Sequence, residues 1–131
     1  MKIKPEMKER LKKAIKPDSY VVPEDVRKSA AKGLELRKKF GRGGMSPSEA
    51  REEGIWSGVN TAKALISGKI NRSLAERMKR YFTRHASDAE AKGDESRGFW
   101  GKDSNPSAGW IAHHIWGGNS GRSWVNGLDL D

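Results

Sequence analysis

Hydrophobic residues recur three and four positions apart through most of residues 22–128, and charged residues fill the positions between them. This spacing places the apolar side chains on one face of a helix, whereas a half-buried strand would alternate apolar and polar residues. We find no strand-like alternation and no internal repeat in the sequence. The pattern therefore predicts an all-α fold, a small bundle of about five to six short helices.

Glycines, prolines and capping residues divide this pattern into helices. Pro23 suits the first position of a helix, and Gly41 suits its end. Ser46 and Ser73 each begin a capping box with a glutamate three residues later. Residues 87–104 hold small polar residues and are predicted to be a loop. The predicted helices occupy residues 23–40, 46–53, 56–66, 73 to about 85, 105 to about 116, and a last turn or short helix near 124–128.

The N-terminal residues form a separate, highly charged segment. Met7, Leu11 and Ile15 lie four apart and define a thin apolar stripe among lysines. A stripe this thin cannot hold a helix alone, so the segment needs a surface to dock on. We predict a basic N-terminal arm and linker over residues 1–21 and a single helical domain over residues 22–131.

Charge is concentrated in two parts of the chain, whose net charge is +9. Residues 1–45 hold 14 Lys and Arg against 6 Asp and Glu, and residues 69–84 hold 6 against 1. Concentrated positive charge on a mildly acidic background favours a polyanionic partner, DNA or another nucleic acid. An acidic protein surface is the alternative partner, because the same charges would suit it.

Several classes of function are disfavoured by the composition. The chain has no Cys, which excludes disulfides, thiolate metal sites and a Cys nucleophile. The N-terminus has no apolar run suited to a signal peptide or a membrane span, so we expect a soluble protein without a membrane partner. His85, His113 and His114 do not have the spacing of common metal motifs, and we assign them structural roles. We expect no catalytic activity and no cofactor.

The segment from Met45 to Phe82 gives the most specific prediction. Its order of helix, glycine corner, helix, Gly-Lys break and helix resembles the phage-repressor type of helix-turn-helix domain, over about 38 residues. In that interpretation the helix at 56–66 would enter the major groove. The side chains within reach of bases or phosphates would be Ser57, Asn60, Thr61 and Lys63. The alternative is three helices of an ordinary bundle.

Phosphate contacts are expected from two groups of cations. Arg77, Arg80 and Arg84 are spaced three and four apart, which places them on one stripe of a helix. The second group surrounds the glycine-rich segment at 40–44, where converging N–H groups would form a phosphate cradle. This second group consists of Lys38, Lys39 and Arg42. The alternatives are a solvated outer face for the first group and a plain helix end for the second.

The Trp- and Gly-rich segment at 109–124 has two interpretations. Aromatic side chains near Arg122 would suit the stacking of single-stranded bases. The local charge is low, however, and Trp residues at such intervals between glycines are typical of the packing centre of a small domain. We therefore assign Trp110, Trp116 and Trp124 to the core.

The pattern from Val22 onward resembles a short domain of uncharacterised bacteriophage-encoded proteins, which occurs alone or attached to head-morphogenesis-type proteins. The similarity extends over about 100 residues and rests on GLELRKKFGRGG, SGVNTAKALISGKI, SLAERMKRYFTRHA and PSAGWIAHHIWGGNSGRSW. It implies a phage origin and therefore a location in the cytoplasm of an infected bacterium or in the virion. It carries no agreed activity and no known catalytic residues.

Together, these patterns predict a small, basic, non-enzymatic phage protein that binds nucleic acid, with double-stranded DNA the expected form. The second hypothesis is a virion structural or assembly protein that docks on an acidic capsid surface or on packaged DNA. Inhibition of a host enzyme is a third and weaker possibility.

Overall fold

The computed structural model describes residues 18–44, 47–53 and 57–130. The predicted arm at residues 1–16 lies outside these ranges, as do Ser46 and Trp56. The described elements are β1 (Ser19–Val21), α1 (Glu24–Phe40), α2 (Pro47–Glu53), α3 (Gly58–Ser67), β2 (Lys69–Asn71), α4 (Arg72–Arg84), a 3-10 turn (Ala86–Glu90), α5 (Ala108–Ile115) and α6 (Gly118–Asn126).

The prediction of a mostly helical fold is confirmed, but the prediction that no strand is present is wrong. β1 and β2 pair antiparallel, with Tyr20 opposite Ile70. Each strand has three residues, too few to show a period-2 pattern against the helical background. The residues of β1 were predicted to belong to a linker, and they instead form half of this ribbon.

Most predicted helix starts are displaced. α3 begins at Gly58, predicted at 56; α5 begins at Ala108, predicted at 105; and α6 begins at Gly118, where a helix break was predicted. Pro23 precedes α1 as its N-cap, so the helix begins at Glu24. α4 begins at Arg72, because the Asn71 side chain caps it by accepting a hydrogen bond from the Leu74 N–H at 2.8 Å. The predicted capping box at Ser73 is therefore wrong. Asparagine and serine cap helices equally well, and the neighbouring strand holds Asn71 in the extended conformation that a cap requires.

The core forms where α1 packs against α3, α5 and α6. Val26, Ala30 and Leu36 contribute the buried face of α1. Gly33 lies on the same face, and a Cβ at this position would stand 2.5 Å from the backbone nitrogen of Ile115. Gly33 therefore allows α1 and α5 to approach each other closely.

The aromatic side chains have two kinds of environment. Trp116 is buried and stacks on Tyr81, with ring centroids 4.6 Å apart and planes 5° from parallel. Trp124 packs against the same core, which agrees with the prediction for Trp116 and Trp124, whereas Trp110 was also assigned to the core and lies outside it. Trp100 and Trp110 are half-buried and contact each other edge to face, with centroids 5.0 Å apart.

The segment predicted to be a loop is only partly irregular. Its start forms the 3-10 turn, and its later part holds two isolated bridges, Asp94 with Gly98 and Phe99 with Pro106. The Phe99 bridge fixes the segment against the residues that lead into α5. The irregular residues are therefore attached to the domain at both ends.

Candidate nucleic-acid interface

Helix α4 divides cleanly into a core face and a basic face. Leu74, Ala75, Met78, Tyr81 and Phe82 are buried. The opposite side carries charged residues at intervals of three to five, so the helix is strongly amphipathic. Because α4 packs on α6 and β2 through its apolar face, its basic face is directed away from the core.

We define the α4 basic face as Lys79, Arg80 and Arg84. Among the described residues, none of the three takes part in an ion pair. Glu76 lies on the same helix, but its carboxylate accepts a hydrogen bond from Arg72 at 3.1 Å. The nearest acidic group on α4 thus already has its own cation.

A shallow groove of about 420 Å³ lies beside the α4 basic face. All three cations line it, together with Glu76, Thr83 and Leu130. Arg72 donates a hydrogen bond to the Leu130 carbonyl at 2.6 Å, which attaches the C-terminal segment to the start of α4. The three cations outnumber the one carboxylate, which pairs with Arg72, so the groove suits a partner with surface anions.

The structure divides the arginine stripe predicted from the sequence. Arg80 and Arg84 are exposed and lie on the α4 basic face, where they are joined by Lys79. Arg77 is half-buried and already has an interaction partner. The stripe predicted on this helix comprised Arg77, Arg80 and Arg84, with Lys79 and Arg72 nearby, and the structure places Lys79 rather than Arg77 beside the groove.

The second predicted group of cations lies at the end of α1. Lys39 and Arg42 lie over the Phe40 ring, with cation-to-centroid distances of 5.4 Å and 5.7 Å, and Lys38 is exposed. Arg42 lines a different cavity from the groove that the α4 basic face lines.

The glycine-rich segment after α1 has a packing role. Gly41 adopts the left-handed conformation and its N–H donates to the Arg37 carbonyl at 2.8 Å, which is a plain helix end. A Cβ on Gly43 would stand 2.5 Å from the Ile111 side chain. The glycines let the chain pass close to α5, and the phosphate role predicted for Arg42 stays a prediction.

Two of the residues predicted to read bases are inaccessible. Thr61 is 0% exposed and donates a hydrogen bond through Oγ1 to the Ser57 carbonyl at 3.2 Å. Ser57 is 3% exposed, and its hydroxyl caps α3 by accepting from the Asn60 N–H at 3.2 Å. Base reading by Ser57 and Thr61 is therefore wrong. Asn60 is half-buried and Lys63 is exposed, so their roles stay predictions.

The pair of helices predicted for a helix-turn-helix is present as α2 and α3, and α2 packs on α3. Residues 54–56, which would form the corner, lie outside the described part of the chain. α3 buries most of its length against α1 and has Lys63 as its one cation. The recognition-helix role of α3 stays a prediction.

His113 and His114 are uncharged near neutral pH. Burial lowers the pKa of His113, whose Nε2 donates to Asn119 Oδ1 at 2.9 Å. Burial, assisted by the Lys32 charge, lowers the pKa of His114 to about 4. Ser29 Oγ lies 3.0 Å from His114 Nδ1. These contacts suit the structural role predicted for both residues. In the ranges that the structure covers, no cluster of acidic and His side chains could hold a metal ion.

The sequence pattern did not indicate a cationic cavity that is formed by parts of the chain distant in sequence. Arg42 lines it together with Lys92, Arg97 and Trp100. Lys92 and Arg97 are two cations in a segment that also holds several carboxylates, so the charge pattern gave no signal there. Only the folded chain brings them to Arg42.

The described residues form a small, mostly helical protein with a basic face on α4. No helix in the described ranges has both the length and the apolar character needed to cross a membrane. Comparisons of the chain with models of protein families, with curated proteins and with solved structures find no match. The resemblance to a phage domain therefore stays a prediction.

Proposed function

We propose that this protein is a phage-encoded, non-catalytic DNA-binding protein that contacts the duplex backbone through the α4 basic face. The α4 basic face itself carries the proposal: Lys79, Arg80 and Arg84 lie within two helical turns and have no acidic partner among the described residues. A helix rises about 1.5 Å per residue, so Arg80 and Arg84 are separated by about 6 Å along its axis. This spacing suits consecutive charges on a polyanion.

Cations of this kind bind phosphates and release the counterions that surround DNA. Arginine adds a planar fork of donors that suits phosphate oxygens, and lysine adds a point charge. The α4 basic face has no Asn or Gln side chain suited to adenine, whereas its Arg and Lys side chains suit both phosphates and guanine. We propose that these cations mainly contact phosphates, so that binding is largely independent of sequence, and that base reading on α3 would fall to Asn60 or Lys63.

A variant lacking the α4 basic face tests this proposal. We expect Lys79→Ala, Arg80→Ala and Arg84→Ala together to reduce the slope of log affinity against log salt by about 3, because three phosphate contacts are lost. Affinity for a random-sequence duplex at low salt should fall roughly 10- to 100-fold. Fluorescence anisotropy of a labelled duplex at several salt concentrations measures both quantities.

The matched control removes three positive charges elsewhere, through Lys28→Ala, Lys32→Ala and Lys102→Ala. Lys28 and Lys32 form ion pairs with Glu24 and Asp103, and Lys102 lies over the Phe99 ring. We expect the control to change the slope by less than about 1. If the two variants lost equal DNA affinity and equal salt slope, binding would depend on net charge alone. That result would contradict a specific role for α4.

An acidic protein surface is the second candidate partner, as expected of a virion or assembly protein. The groove beside the α4 basic face favours it, because Leu130 adds an apolar floor that a duplex does not need. In that case the triple variant would lose a protein partner while the wild-type chain bound no duplex even at low salt.

A further inference from the structure

A second, larger cavity in the described part of the chain lies away from the α4 basic face. It is about 550 Å³ in volume, within the usual range for small-ligand pockets, and none of the α4 basic face residues lines it. Its walls come from Arg42 after α1, from the segment around residues 91–100 and from the start of α5. Three separate parts of the chain thus enclose it.

Three cations and one indole ring give the cavity its chemistry. Lys92 is exposed and makes no ion pair with any residue that the structure describes, whereas Arg97 pairs with Asp94 at 3.0 Å. Arg42 donates through Nη2 to Asn105 Oδ1 at 3.3 Å. Arg42 Nη1 is buried and finds no hydrogen-bond acceptor in the described part of the chain, so the guanidinium is incompletely satisfied by the protein. Arg42 also lines the cavity, where its positive charge favours an anion.

The position of Arg42 is fixed by the backbone around it. Gly98 has φ of 84°, and a Cβ there would lie 2.8 Å from Arg42 Nη1. The guanidinium therefore lies against the Gly98 backbone, while Asn105 holds its other nitrogen. A guanidinium held on two sides loses little freedom when it binds an anion, which favours affinity.

Trp100 supplies an aromatic wall. It is held edge to face by Trp110, whose Nε1 donates to Asp103 Oδ1 at 2.9 Å. Trp100 and Asp88 also line a smaller adjoining cavity, to which His85 and Arg122 contribute. Arg42, Lys92 and Arg97 do not line that smaller cavity, so Trp100 and Asp88 mark the end of the larger cavity that adjoins it. Asp88 Oδ2 lies 2.9 Å from His85 Nδ1, which leaves Oδ1 as the acceptor for a ligand among the described residues.

We propose that this cavity binds a nucleotide, with its phosphate on Arg42 and Lys92 and its base against Trp100. An indole face stacks on any base, and Asp88 can accept a hydrogen bond from a base amino group. The nucleotide is either a free mononucleotide or the 5′-terminal nucleotide of a strand. This site is separate from the α4 basic face, so the two proposals succeed or fail independently.

Calorimetric titration of the full chain with AMP, adenosine and inorganic phosphate tests the site. We expect AMP to bind at least about tenfold more tightly than either fragment, because it alone uses both ends of the cavity. Equal affinity for AMP and phosphate would overturn the role of Trp100. No heat of binding with AMP at millimolar concentration would overturn the site as a whole.

Variants separate the two ends of the cavity. Arg42→Gln should weaken AMP binding about tenfold or more, and Lys92→Ala should weaken it several-fold. Lys92 is exposed, so its substitution leaves the fold intact and keeps the test decisive if Arg42→Gln is unstable. Trp100→Leu should weaken AMP binding and leave phosphate binding unchanged. Unaltered AMP affinity in both Arg42→Gln and Lys92→Ala would overturn the assignment.

A charge-matched control keeps this site distinct from the proposed DNA surface. Arg80→Ala removes one positive charge from the α4 basic face and should leave AMP affinity unchanged. Competition of AMP with 5′-phosphorylated and unphosphorylated hexadeoxyadenylate then shows whether the site binds a free mononucleotide or the 5′ end of a strand. Displacement by the phosphorylated strand alone supports a strand terminus, and displacement by neither supports a free mononucleotide.

Discussion

Replacing Trp116 by alanine should lower the free energy of unfolding by about 3–5 kcal/mol, the range for truncating a large buried aromatic residue. Trp116 is 8% exposed and stacks on Tyr81 of α4. The substitution removes this stack and leaves a cavity between α4 and the residues that join α5 to α6. Urea denaturation followed by circular dichroism measures the change.

Trp124→Ala is the matched control, because the same atoms are removed from a position that is only partly buried. We expect the free energy of unfolding to fall by about half as much as in Trp116→Ala, because less apolar area is exposed to water. Equal losses at the two positions would contradict the placement of Trp116 in the core and of Trp124 at its edge.

Gly33→Ala should destabilise the protein by about 2–3 kcal/mol, although alanine is normally the better helix former. The added methyl group would stand 2.5 Å from the Ile115 nitrogen and 2.9 Å from its Cα. These atoms belong to the α5 backbone, so the strain is relieved only if α1 and α5 separate. Thermal and urea unfolding measure the effect.

Gly127→Ala serves as the control for this substitution. Gly127 has φ of −86°, and a Cβ there would lie 3.5 Å from its nearest neighbours, which is an ordinary contact. We expect a change within about 0.5 kcal/mol. A neutral or stabilising Gly33→Ala substitution would refute the close crossing of α1 and α5.

Local signals were sufficient to predict most helices. Gly41 and Gly68 end α1 and α3 in the left-handed conformation, as glycine at a helix end predicts. The sheet was missed because its strands have three residues each and pair across nearly fifty positions. That pairing also makes Asn71 the cap of α4 in place of Ser73, which local sequence cannot indicate.

The candidate site was likewise predictable only where its residues lie close together in the sequence. Arg80 and Arg84 were predicted because their spacing alone places them on one helical face. Thr61 was assigned wrongly, although it lies four residues before the buried Leu65 and three after the buried Gly58, and the four-residue spacing to Leu65 already indicated the core face. The cationic cavity depends on contacts between Arg42 and residues after position 90, so only the folded chain reveals it.

The most direct measurement for the proposed function is a salt titration of wild-type binding to random-sequence duplex DNA. We expect measurable binding at low salt and an affinity that falls steeply as salt rises, with a slope of log affinity against log salt of about −3 or steeper from the α4 basic face. Absence of binding at low salt, despite a net charge of +9, would contradict the DNA-binding proposal and direct the search to an acidic protein partner.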